Sequence, residues 1–153
     1  MKELWHIFLV AMIPVIELRG SIVLGCAQGL PFLGVAIASI LGNMLPVPFI
    51  LLFIRKILEL MKRIPSLAKI AHWLENKGHK NKDKIMKYAS LGLLLFVGIP
   101  LPGTGAWTGA LVAAMMDMRM KYALPSIFAG IIMAAVIVTV AAYGSVGFLS
   151  FLL

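Results

Sequence analysis

Two charged side chains stand where an apolar chain can least keep them. Residues 4–30 carry no Asp, Glu, Lys or Arg except Glu17 and Arg19, near the middle of the run. A second uncharged run, 88–116, is broken near its middle by Pro100-Leu101-Pro102-Gly103-Thr104-Gly105. In lipid, backbone polar groups must be satisfied within the protein. Ions and helix breakers at that depth therefore persist mainly where they face a cavity, a partner or a substrate. The pattern predicts a polytopic membrane protein with a polar site inside the bilayer.

Composition agrees. Apolar residues make up 61% of the chain and charged residues 13%, against about 45–50% and 25% in soluble domains. The single cysteine, Cys26, excludes an intramolecular disulfide and argues against a cysteine metal site. A signal peptide is a poor reading of the N-terminus, because Glu17 and Arg19 follow the first apolar stretch without a small-x-small cleavage site. The net charge of +8 is concentrated in 55–87, where ten Lys or Arg face three acids. Nucleic-acid binding would explain the basic excess but not its apolar flanks. The positive-inside rule explains both and places 55–87 in the cytoplasm, within reach of anionic lipid headgroups.

A helix crosses the hydrocarbon core in about 20 residues. Residues 32–54 and 122–143 match that length. Pro46 and Pro48 predict a kink in the first, and Gly144 and Ser145 predict loosening after the second. The run 88–116 is too long for one straight span and too short for two. Basic residues flank both of its ends, so both ends are expected on the cytoplasmic side. Two half-helices meeting at Pro100, Pro102, Gly103 and Gly105 fit these constraints. The run 4–30 reads the same way, with Pro14 and Gly20 at its tip. On a continuous helix Glu17 and Arg19 would point apart, whereas at an irregular tip they can converge.

The expected fold is thus all-α, a single membrane domain over residues 1–153. It is an inverted repeat of re-entrant hairpin plus span (1–54 and 88–153), joined by a basic, helical cytoplasmic segment (55–87). Ile13-Pro14 echoes Ile99-Pro100, and Gly42 echoes Gly130. Opposed repeats with broken helices at the midplane are a recurrent transporter design. Within the basic segment, Pro65-Ser66 should start a helix and Gly78 should end it. His72 and His79 there read as solvated.

At the tips, Glu17 is the candidate proton carrier, and Arg19 can hold a phosphate or carboxylate bidentately. The bland alternative is a structural Glu17–Arg19 ion pair. Thr104 is the expected N-cap of the second half-helix. The N–H groups of Gly105, Ala106 and Trp107 would then face an anion, with Ser21 and Thr108 adding hydroxyls. The bland alternative here is a tight glycine tip. The spacing of Gly25/Gly29 and Gly105/Gly109 reads as helix packing and makes a homodimer plausible. Asn43 reads as an interhelical hydrogen-bonding group. Asp117 and Arg119 read as anchors at the membrane boundary. No cofactor, metal site or enzymatic constellation is expected.

Two tracts together carry a family resemblance: Pro14-Val15-Ile16-Glu17-Leu18-Arg19-Gly20-Ser21 and Pro100-Leu101-Pro102-Gly103-Thr104-Gly105-Ala106-Trp107-Thr108-Gly109-Ala110. The chain resembles the small multi-drug export family, itself similar to the DedA superfamily. The resemblance implies opposed hairpins in a bacterial or archaeal cytoplasmic membrane. It also implies proton-dependent export, or translocation of a lipid carrier such as undecaprenyl phosphate. Glu17 and Arg19 match the acidic and basic residues of the first DedA hairpin. The arginines of the second DedA hairpin have no counterpart between Gly103 and Gly109. A membrane assembly factor without a transport cycle is the remaining alternative.

Overall fold

A computed structural model of the chain describes residues 2–62, 82–101 and 103–152. The expected helix between Pro65 and Gly78, with His72 and His79, lies outside the described residues, as does Pro102. Among the described residues the structure is helical, without strands. In chain order the helices are α1 (Lys2–Ala11), α2 (Glu17–Ala27), α3 (Phe32–Met44), α4 (Pro46–Lys62), α5 (Lys82–Gly98), α6 (Ala106–Met115) and α7 (Met120–Leu152).

Two stretches, Phe32–Ile54 and Met120–Ser145, are long and apolar enough to cross a membrane. Within the first, α3 gives way to α4 at Leu45, which keeps helical dihedrals (φ −58°, ψ −44°) and its bond to the Leu41 carbonyl, and Pro46 opens α4. The expected loosening at Gly144 and Ser145 does not occur. Helix α7 runs through both, and Ser145 donates its hydroxyl to the carbonyl of Ala142 at 2.9 Å. Helices α2 and α6 have 11 and 10 residues. At about 1.5 Å per residue, each reaches roughly halfway through a 30 Å hydrocarbon core.

Residues 12–16 join α1 to α2, and a second turn lies between α5 and α6. The first turn therefore lies just ahead of Glu17 and contains Pro14, whereas Gly20, also expected at the tip, lies inside α2. Glu17 opens α2 with φ 50°, a left-handed conformation that few non-glycine residues adopt.

Two local features recur along the chain. Helix α1 packs on α3, and α5 packs on α7. A β-carbon on Gly42 would strike the Phe8 carbonyl and meet Ala11 at 3.1 Å; one on Gly130 would meet the Leu94 carbonyl at 2.8 Å and Val97 at 2.8 Å. The two glycines thus serve the same close approach. Helices α2 and α6 end alike. Gly29 donates to Cys26 and Leu30 to Gly25, as Asp117 donates to Ala114 and Met118 to Ala113. Gly29 (φ 67°) and Asp117 (φ 51°) occupy the left-handed position that this C-terminal motif requires. Each short second helix also reaches across to the other half, α2 onto α7 and α6 onto α4.

The core joins Ile7, Leu18, Ile22, Val35, Val97, Ala110 and Ile131 across these helices. Trp5, Val15, Phe32, Leu33, Phe49, Phe53 and Val140 lie largely exposed around it. That much exposed apolar surface suits lipid, not water.

Candidate functional site

Both charges of the first tip reach the second tip. The Trp107 backbone N–H donates to Glu17 Oε1 at 3.2 Å, and the Ala106 N–H lies beside the same carboxylate. These are the first N–H groups of α6, which no helical carbonyl can reach. The expected N-cap, Thr104, does not fill that role. The N-cap is Gly105, with no side-chain cap of its own. Its φ of 151° is strained for any other residue, and a β-carbon there would collide with the Glu17 carboxylate. Gly105 is therefore the seat on which Glu17 rests, and Glu17 caps α6 from another element.

Arg19 binds the outer side of the same tip. Its guanidinium donates to the Leu101 carbonyl, to the Ile99 carbonyl at 3.2 Å and to Thr104 Oγ1 at 2.8 Å. Thr104 Oγ1 shares its own hydrogen between those carbonyls, 3.0 Å from Ile99 and 2.9 Å from Leu101. The planar fork thus adds charged donors to turn carbonyls that also accept the Leu101 and Thr104 N–H groups. Glu17 and Arg19 hydrogen-bond to separate partners, so each charge ties the start of α2 to the turn before α6.

The remaining expected site residues divide into two groups. Trp107 is half-buried and donates its indole N–H to the Met12 carbonyl at 3.2 Å, a further tie between the tips. Ala106 is buried and lines the site. Ser21 points elsewhere: its hydroxyl lies 2.7 Å from Ser39 Oγ and 2.9 Å from the Leu18 carbonyl, inside the α2–α3 contact. Thr108 donates back to the Gly105 carbonyl at 3.3 Å. Pro14 and Pro100 are exposed, Gly103 takes φ 80° in the second turn, and Gly20 leaves room for the Ile16 side chain. The four-residue glycine spacing packs helices only in part. Gly25 admits Val35 and Gly109 admits Val97, whereas Gly29 serves a turn and Gly105 seats the carboxylate.

Beneath Glu17 lies a small cavity lined also by Leu18, Arg19, Asn43, Val97, Gly105, Ala106, Ile131 and Ala134. About 10 Å³ of it is open to the centre of a water-sized sphere, room for about one water. Asn43, from α3, is 3% exposed, and its Oδ1 is buried without a hydrogen-bond partner. Sequence reasoning placed Asn43 between helices and did not bring it to this site. A buried amide in a glycine-flanked apolar helix was the available signal. A wider apolar groove of about 540 Å³ runs between α2 and α7, with Pro100 of the second tip at its edge. Among the described residues no group of His, Cys, Asp or Glu is placed to hold a metal.

Apolar outer surface and bilayer-length helices, around a polar junction between two short helices, define a helical membrane protein. The chain belongs to the family described as putative small multi-drug export protein, whose model matches residues 17–137. That match opens on Glu17 and takes in both arms of the junction. No curated protein and no solved structure matches the chain.

Proposed function

We propose that the protein is a proton-coupled transporter of an anionic or amphiphilic substrate. The observation that carries this reading is the Glu17 carboxylate on the N-terminus of α6. Helix N-termini favour anions, and here the chain supplies its own. Protonation of Glu17 removes the charge and weakens its hold on the Trp107 N–H. The donors of α6, together with Arg19, then become available to a substrate anion. Proton and anion thus favour the same state, while the ionised, substrate-free chain caps itself. A ligand shifts such an equilibrium only by its differential affinity for the two states, and this exchange supplies that difference.

The architecture suits alternating access. We read the two halves as inverted repeats whose re-entrant tips meet at the midplane, with residues 55–87 in the cytoplasm. The matched roles of Gly42 and Gly130 support the repeat, as do the matched ends of α2 and α6. The half-bilayer length of the two short helices supports re-entrance. The groove beside Pro100 favours an amphiphile, its tail against α2 and α7 and its charge at the tip. That groove also favours a second reading, translocation of a phosphate-bearing lipid, in line with the resemblance to DedA proteins.

Uptake of a short-chain and a long-chain alkyl phosphate into proteoliposomes, with and without an imposed proton gradient, tests the proposal. Gradient-driven accumulation that a protonophore abolishes is expected. Movement of the long-chain compound alone, indifferent to the protonophore, would favour the lipid reading. Movement of neither would overturn both.

A further inference from the structure

We infer that the cavity beneath Glu17 is a one-water site, in which a single water bridges the Glu17 carboxylate and the Asn43 carboxamide. Glu17 comes from the start of α2 and Asn43 from the last turn of α3, and both line this cavity. Asn43 is 3% exposed, and its Oδ1 has no donor within the described protein. An amide of this burial is nearly always hydrogen-bonded, to protein or to an ordered water. Rotating the carboxamide by half a turn exchanges its two ends, so either end can face the cavity. The space is that of about one water.

The chemistry of the walls selects water over an ion. A hard cation takes about six oxygen ligands, but Leu18, Val97, Ile131 and Ala134 present hydrocarbon. Arg19 also lines the cavity and repels a cation. An anion would meet the Glu17 carboxylate at short range. A neutral molecule with two donors and two acceptors fits all of these walls. It gives one hydrogen to the carboxylate and meets the amide with its other hydrogen or a lone pair.

The site has a consequence for coupling, which rests on the proposed proton-carrier role of Glu17. As the bridging water accepts a proton at its oxygen, it gives the hydrogen it already points at Glu17 to the carboxylate oxygen, so one O–H bond forms as another breaks and a neutral water stays in place. Asn43 is then a positioning residue, which holds the water on the carboxylate.

A crystal structure of the full chain in lipid, at a resolution that shows ordered water, tests the site directly. One density peak within hydrogen-bonding distance of both Glu17 and Asn43 is expected. A dry cavity, or an Asn43 amide bonded straight to Glu17, would overturn the inference. In Asn43→Leu the peak should vanish and proton flux into proteoliposomes should fall at least tenfold, with the helices unmoved. Unchanged flux there would overturn the positioning role. If Asn43→Leu does not fold, Asn43→Ala should hold a second water where the carboxamide was, and an enlarged dry cavity would again overturn the site. Wild-type protein with the water in place and no proton flux would instead overturn the transport reading alone.

Discussion

The Glu17 carboxylate accepts the backbone N–H of Trp107 at 3.2 Å and so caps a helix ninety residues further along the chain. One carboxylate thereby does for α6 what a local Ser or Asp does for most helices. It does so across the junction of the two halves, so any change in its charge is felt by both.

The seat of that carboxylate predicts a hierarchy among glycines. Gly105→Ala meets both a strained φ of 151° and the Glu17 carboxylate. Gly103→Ala meets only its φ of 80°, in open space. Gly34→Ala meets only the flexible end of Leu4, at 3.3 Å. Backbone strain of this kind costs about 1–3 kcal/mol. Thermal melting in detergent should rank Gly105→Ala well below Gly103→Ala, with Gly34→Ala near wild type. Equal melting of the first two would contradict the seat.

The repeated close approach predicts paired sensitivity. Gly42→Ala and Gly130→Ala each push a methyl group into a backbone carbonyl of the facing helix, so both should lower stability by a few kcal/mol, as overpacking does (~1–3 kcal/mol). Gly92→Ala, with nothing within 4 Å, should be neutral. Unfolding in denaturing detergent measures all three. A tolerant Gly130 beside an intolerant Gly42 would break the equivalence.

Arg19 predicts coupling across the tips. It serves Ile99, Leu101 and Thr104 at once, which a lysine ammonium cannot do in the same plane. Arg19→Lys should cost about 1.5–3 kcal/mol, the worth of charged hydrogen bonds. A double-mutant cycle with Thr104→Val should give an interaction energy of about 0.5–3 kcal/mol. Additive effects would mean that the contact carries no stability.

The bilayer-length helices were legible from apolar run length, and the break at 99–105 from its prolines and glycines. Those signals are local. The importance of Glu17 and Arg19 was legible too, because an ion in an apolar run stands out whatever surrounds it. Their partners were not. Thr104 has the composition of an N-cap, but Arg19 claims its hydroxyl and Glu17 takes the role from another helix. The bland reading of Glu17 and Arg19 is an ion pair, whereas Glu17 takes the first N–H groups of α6 and Arg19 the carbonyls of the turn before it. Ser21 is expected to add a hydroxyl at the site, yet its place on α2 carries it to Ser39. Asn43 reaches the cavity only through the packing of α3.

The re-entrant reading predicts a topology. In a chain with Cys26 replaced by Ala, single cysteines at Tyr88 and Arg119, both exposed, should react with a membrane-impermeant thiol reagent from the cytoplasmic side only. Met118, though adjacent, is 1% exposed and would be a poor probe. Labelling of either position only from outside would end the hairpin model.

The central claim is that Glu17 couples proton movement to transport, and Glu17→Gln tests it most directly. Glutamine keeps the shape and an acceptor for the Trp107 N–H but cannot titrate. The account predicts that purified Glu17→Gln folds, melts within a few degrees of wild type and shows no gradient-driven flux in proteoliposomes. Full proton-driven flux from the folded variant would contradict it. If the carboxylate is only the structural cap of α6, the loss should appear in folded yield and melting temperature, and the Glu17→Gln protein that does fold should keep its proton-driven flux.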